Sequence, residues 1–221
     1  MRSVDPLLQG FRRFQARYFG RRDSIFEALR HGQKPATLVI GCCDSRVHPA
    51  LLTGAEPGEL FVVRNVANLV PPHDPDNAHA SVAAALEFAV LSLGIERIIV
   101  LGHSGCGGIR ALLTRCTAPG SALTRWLDIA IPARQFVERH HAHETESVRL
   151  NLCEKGGILV SLENLLSYPW VRERVEARTL ALDGWYFDLQ EGALWGYDGE
   201  ARRFLPLVCP LPVRSAVSLP T

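Results

Sequence analysis

Three short apolar runs constrain this chain more than any other feature: Ala36 to Gly41, Leu60 to Arg64 and Arg97 to Gly102, each ending in small or polar residues. Bounded runs of this length suit strands buried on both faces of a parallel sheet. Helical stretches separate them, and Ala78 to Leu93, rich in Ala and Leu and followed by Gly94, carries the strongest crossover pattern. The chain therefore reads as α/β, a mostly parallel central sheet flanked by helices. Upstream, Leu7, Leu8, Phe11, Phe14 and Tyr18 recur at helical spacing within residues 6–19, an amphipathic helix whose apolar stripe needs a partner surface. A second short helix carries Ile25, Phe26 and Leu29 and ends near His31-Gly32. Downstream, residues 121–140 and 143–167 read as helices, the first interrupted early by Pro132 and the second closed by Tyr168-Pro169. Thr179 to Leu189 and Ala193 to Tyr197 look like a late strand pair, and Pro206, Pro210, Pro212 and Pro220 predict an extended end.

A chain of 221 residues suits one well-formed core. Lys and Arg number 24 against 23 Asp and Glu, so no global field draws the protein to nucleic acid or to an anionic membrane. No apolar run approaches the roughly 20 residues that span a bilayer. Six cysteines are too sparse for a disulfide scaffold, and no secretory signal precedes them. Arg12, Arg13, Arg17, Arg21 and Arg22 near the start are followed by no apolar targeting segment, so this stretch is expected to belong to the fold, with reduced thiols in a cytoplasmic protein. Function must come from a local site.

In a parallel sheet, ligands gather at the carboxyl ends of the strands. Two of these ends are unusual. Gly41-Cys42-Cys43-Asp44-Ser45-Arg46 follows the first run, and Gly102-His103-Ser104-Gly105-Cys106-Gly107-Gly108 follows the third. Two thiolates and an imidazole form a natural tetrahedral zinc set, and three ligands leave a fourth position for water or substrate. Any one of these residues alone would read as packing. Their joint occurrence after two strands points to a metal held by Cys42, His103 and Cys106. The glycine loop matches neither a dinucleotide nor a P-loop fingerprint, and His140, His141, His143 and Glu144 read as a solvated face.

These motifs resemble the β-class carbonic anhydrases, and more their plant-like branch than the enterobacterial one. The resemblance rests on Cys42 to Val47 (CCDSRV), Phe61 to Leu69 (FVVRNVANL) and Gly102 to Gly108 (GHSGCGG), and runs from about Gln33 to Trp195. It implies one Zn2+ per chain on Cys42, His103 and Cys106, with Asp44 and Arg46 as a catalytic dyad and Asp44 a possible fourth ligand in a closed state. It also implies a substrate pocket lined across a dimer interface by Gln33, Phe61, Val66 and Phe88, together with Gly107. A homodimer, or a higher oligomer built from dimers, follows, the N-terminal arm packing on the partner subunit. The organisation expected is an arm over residues 1–32, a zinc-binding catalytic domain over 33–205 and an extended tail over 206–221.

Four positions depart from family patterns. Phe88 stands where plant-like relatives carry tyrosine, and Cys43 where the family usually has serine. Val39 and Val63 replace the tryptophan and histidine of the enterobacterial bicarbonate-inhibition site, so no such site is expected although Arg64 remains. The implied reaction is reversible hydration of CO2 to bicarbonate and a proton by zinc-bound hydroxide, assisted by the dyad, with His48, His73 and His79 as candidate proton shuttles. Two alternatives stay open: hydrolysis of carbonyl sulfide or carbon disulfide on the same scaffold, and a closed structural zinc module with Asp44 as permanent fourth ligand.

Overall fold

The computed structural model describes residues 3–20, 24–76 and 80–212. Arg21, Arg22, His79, Pro220 and the first residues of the expected crossover helix lie outside them. The chain folds as α1 (Asp5–Phe19), α2 (Ile25–Leu29), β1 (Thr37–Cys42), α3 (Pro49–Thr53), β2 (Leu60–Asn65), α4 (Ala80–Glu87), β3 (Arg97–His103), α5 (Gly107–Thr114), α6 (Ala122–Leu127), α7 (Ile131–His140), α8 (Glu146–Leu165), α9 (Pro169–Glu176), β4 (Ala181–Asp188), β5 (Ala193–Asp198) and β6 (Arg203–Val208). One sheet holds all six strands in the order β2-β1-β3-β4-β5-β6. The first four are parallel, and β5 and β6 extend the sheet antiparallel.

The three apolar runs form β1, β2 and β3, and their side chains divide between two cores. Leu38, Ile40, Ile98 and Val100 face one side, where Val82, Leu86, Val90, Ile158, Leu165, Tyr168 and Val171 cover them. Val39, Ile99 and Leu101 face the other side and share a smaller cluster with Val47. Helix α8 approaches the sheet closely because two strand residues have no side chain. A Cβ at Gly102 would lie 2.7 Å from Ile158 Cδ1, and one at Gly184 would lie 2.8 Å from Ile158 Cγ2 and 3.0 Å from Leu162 Cδ1.

Three features differ from the sequence expectation. Pro169, expected to close a helix, opens α9 in its first turn, where its missing N–H costs nothing. The late strand pair gains a third member, β6, which runs through Pro206 and pairs Pro206 with Trp195 beside a bulge. As an edge strand, β6 tolerates a proline that donates nothing, so the tail expected from residue 206 begins inside a strand. The stretch over residues 121–140 divides into α6, a short 3-10 turn and α7.

The amphipathic stripe of α1 is only partly satisfied within one chain. Phe14 and Tyr18 pack on Phe26 of α2, and Arg17 and Tyr18 both reach Glu56 at 2.6 Å. Leu7, Leu8 and Phe11 remain exposed. Among the described residues no helix is long and apolar enough to cross a membrane.

The close seat of α8 yields the first prediction. Gly184→Ala should destabilise the fold by about 1–3 kcal/mol through overpacking against Ile158 and Leu162, read from urea unfolding. A change below about 0.5 kcal/mol would show that this contact is slack.

Candidate metal centre

β1 and β3 are neighbours, in register from Thr37↔Arg97 to Gly41↔Leu101, so the residues that follow them emerge side by side. Cys42 ends β1 and His103 ends β3. Cys106 caps the N-terminus of α5 three residues later. The Sγ atoms of Cys42 and Cys106 and a ring nitrogen of His103 lie within 4.8 Å of one another, all three residues buried.

The chemistry of this set fits a zinc ion. His103 Nδ1 lies 3.0 Å from the Ser104 carbonyl. A carbonyl only accepts, so Nδ1 carries the proton and Nε2 presents its lone pair. That Nε2 is buried and has no hydrogen-bond partner, an orphan a metal would satisfy. The two thiols hydrogen-bond to each other, a contact that lowers Cys42 and raises Cys106. The Asp44 N–H, 3.4 Å from Cys42 Sγ, also favours the Cys42 thiolate. Two sulfurs and an imidazole nitrogen this close together are donors of the kind zinc takes, and a dication would deprotonate both thiols.

Asp44 stands at the rim of this cluster. Arg46 donates through Nε to Oδ1 at 2.9 Å and through Nη2 to Oδ2 at 2.8 Å, and its backbone N–H adds a third bond to Oδ1 at 2.9 Å. These bonds, foremost those of the Arg46 side chain, hold the Asp44 carboxyl well below the usual carboxylate range. Arg46 also reaches the Gly105 carbonyl at 3.2 Å, tying the two loops together. Asp44 Oδ2 is 3.9 Å from His103 Nε2. The carboxylate is thus paired with arginine at the mouth of the cluster.

Pattern reading missed the structural part played by Arg64. Its guanidinium donates to the carbonyls of Cys42 at 2.9 Å, Asp44 at 2.7 Å and Val47 at 2.9 Å, and so holds the whole turn that carries Cys42, Asp44 and Arg46. An arginine inside an otherwise apolar strand run was the available signal. Beyond β2, Ala67 and Asn68 take left-handed backbone conformations at φ 65 and 50, a strained turn that Asn65 pins by bonds to both the N–H and the carbonyl of Leu69. On the far side of the cluster, Glu154 of α8 accepts from the Cys106 N–H at 2.8 Å.

The pocket residues divide into two groups. Val66 and Gly107 lie beside the cluster: Val66 follows the end of β2 and packs on the group that holds Cys42 and Cys106, and Gly107 follows Cys106 as the first residue of α5. Gln33 precedes β1, and Phe61 pairs with Leu38 near the strand starts. The length of β1 therefore separates them from Cys42, roughly 16 Å at the usual strand rise. Phe88 packs on Phe61 with ring centroids 6.0 Å apart, on the same edge of the sheet. Of the histidines, His48 caps α3 by accepting from the Leu51 N–H at 3.4 Å, and His73 packs edge-on against Tyr168 and Trp170. Cys43 is exposed and makes no disulfide.

Residues 37–194 match the family model described as carbonic anhydrase. A carbonic anhydrase of Pseudomonas aeruginosa is 39% identical over 202 residues, covering 91% of this chain and 90% of that protein. Beta carbonic anhydrase 3 of Arabidopsis thaliana is 38% identical over 202 residues, covering 89% of this chain and 78% of the relative. The solved structure of the β-carbonic anhydrase CcaA superposes with a TM-score of 0.86 at 34% identity, over 95% of this chain and 93% of that one.

Arg64→Leu should leave three part-buried carbonyls without their shared donor and cost about 3 kcal/mol in urea unfolding. A loss below about 0.5 kcal/mol would mean that the turn holds without it.

Proposed function

The chain belongs to the β-class carbonic anhydrase family, and from that membership we propose that it hydrates CO2 reversibly to bicarbonate and a proton at a zinc ion held by Cys42, His103 and Cys106. The observation that carries this reading is the buried, partnerless His103 Nε2 facing two cysteine sulfurs. When bound, the ion supplies the Lewis acidity that makes water nucleophilic near neutral pH, an effect for which carbonic anhydrase is itself the standard example.

The chain's own residues do the rest. Asp44, kept ionised and aimed by Arg46, accepts a hydrogen bond from the attacking water at Oδ2 and so turns a lone pair of that water toward the carbon of CO2. Both carboxylate oxygens of Asp44 bond to Arg46, which supports an open site over one that Asp44 closes as fourth ligand. Val66, on the near side, offers CO2 an apolar contact. His48, exposed two residues beyond Arg46, is the histidine best placed in sequence to pass the proton to buffer.

The site is completed by a second copy of the chain. Gln33 and Phe61 stand toward the start of β1, away from Cys42 at its end, and Phe88 packs on Phe61, a placement that supports their serving a partner's site. The exposed Leu7, Leu8 and Phe11 give such a partner an apolar surface to bury. In this dimer Gln33 donates a hydrogen bond to bicarbonate while Phe61 and Phe88 exclude water. The Arabidopsis relative supports the plant-like branch. With Val39 and Val63 in place, and Arg64 already bonded to three carbonyls, no bicarbonate-inhibition site is proposed.

Two measurements test this reading. Stopped-flow CO2 hydration at pH 8 should be fast with about one zinc per chain, and Asp44→Ala should lower it by two orders of magnitude or more while zinc stays bound; full zinc without hydration would contradict it. Co-expressing His103→Ala with Gln33→Ala chains should restore activity that neither homodimer shows, because the mixed dimer contains one intact site. No recovery in an isolated mixed dimer would place Gln33 outside the site.

A further inference from the structure

Helix α8 buries one stripe against the sheet and the metal loop: Leu150, Cys153, Glu154, Gly157, Ile158, Ser161 and Leu165. Six of these suit a core by size or apolarity. Glu154 does not, yet it is 4% exposed. Burying a carboxylate there is costly unless it is hydrogen-bonded, and an apolar residue would serve packing better. Its oxygens are both occupied. Oε1 accepts from the Cys106 N–H at 2.8 Å and Oε2 from the Tyr186 hydroxyl at 2.8 Å. Tyr186 is itself 1% exposed, and its hydroxyl oxygen accepts from Asn151 Nδ2 at 2.8 Å. Asn151 and Glu154 lie three apart on α8, so one helix face presents both ends of this chain of bonds.

What Glu154 holds is a backbone with unusual freedom. Cys106 is flanked by Gly105, in a left-handed conformation at φ 68, and by Gly107, around which a Cβ would meet nothing within 4 Å. Glycines on both sides leave the direction of Cys106 weakly determined by the chain itself. A fixed acceptor on its N–H removes that freedom. We propose that Glu154, held by Tyr186 and Asn151, is a positioning residue of the metal loop, fixing the Cys106 N–H and with it the direction of Cys106 Sγ, and thereby setting how tightly the cluster binds zinc. This rests on the zinc reading above and adds to it a residue that touches neither metal nor substrate. Groups at this remove from a metal typically change its affinity by ten- to a hundred-fold.

The experiment follows zinc release from the purified protein into a chromophoric chelator, for wild type, Glu154→Leu, Tyr186→Phe and Ser147→Ala. Ser147 lines the same small cleft as Glu154 and Tyr186 without joining their bonds. Thermal melting of the zinc-free forms and the thiolate-to-metal absorption of the cobalt-substituted forms accompany it. Glu154→Leu, which removes the acceptor, should weaken zinc binding about ten- to a hundred-fold and shift the cobalt absorption. Tyr186→Phe should move both in the same direction by less, and Ser147→Ala should move neither. A purely structural role would lower the melting temperatures while leaving affinity and absorption at wild-type values, which would overturn the proposal. Should Glu154→Leu fail to fold, Tyr186→Phe decides alone by the same two readouts. Wild-type protein that takes up no zinc would overturn the metal reading itself; wild type with one zinc and variants identical to it would overturn only the positioning role.

Discussion

The parallel pairing of β1 with β3 is the constraint on which the rest of the structure depends. Their common register ends Cys42 and His103 on neighbouring strands at one edge of the sheet. No short-range feature of either loop could bring those residues together, because about sixty residues of chain lie between them. Hydrogen bonding along two strands does so, and the crossover through β2 and α4 that a parallel pair requires supplies Val66 and the strained Ala67-Asn68 turn beside the cluster. The third ligand then costs little further order, since Cys106 lies at the start of the helix that leaves the same loop.

Holding polar ligands in a buried place means anchoring the backbone around them, and the protein does this from its core. Arg64 binds three carbonyls of the first loop. Ser161 of α8 accepts from the Val70 N–H at 3.1 Å, and Asn164 donates to the Val70 carbonyl at 2.8 Å, steadying the loop after β2. Trp126 reaches the Val66 carbonyl at 2.8 Å. The anchors come from three elements, β2, α6 and α8, and each meets backbone atoms. The result is a loop cluster whose backbone is held by the surrounding fold, as a rigid site requires.

The parts of this account legible in the sequence are those carried by side-chain type and period. The apolar runs gave away β1, β2 and β3, and the Cys-x-Asp-Ser-Arg and His-x-x-Cys-Gly-Gly segments pointed to the cluster because so few chemistries need those residues after two strands. What escaped notice depends on backbone atoms or on neighbours in space. Arg64 and Glu154 bond to carbonyl and N–H groups that no residue pattern locates. Pro206 reads as a strand breaker until its strand is seen to lie on the edge. Pro169 reads as a stop and acts as a start, because a proline stops one helix and opens another by the same missing N–H. Gln33, Phe61 and Phe88 came only from family resemblance, and the sheet gives the physical reason: Gln33 precedes β1 and Phe61 pairs near its start, while Cys42 ends it.

The proposed reaction requires Cys42, His103 and Cys106 to form one zinc site with an open fourth position. X-ray absorption at the zinc edge of the purified protein reads that site without an activity assay. Two sulfur neighbours at about 2.3 Å and one nitrogen at about 2.0–2.1 Å are expected, with the fourth contact from oxygen. A first shell with fewer than two sulfurs, or one filled by nitrogen and oxygen alone, would contradict it.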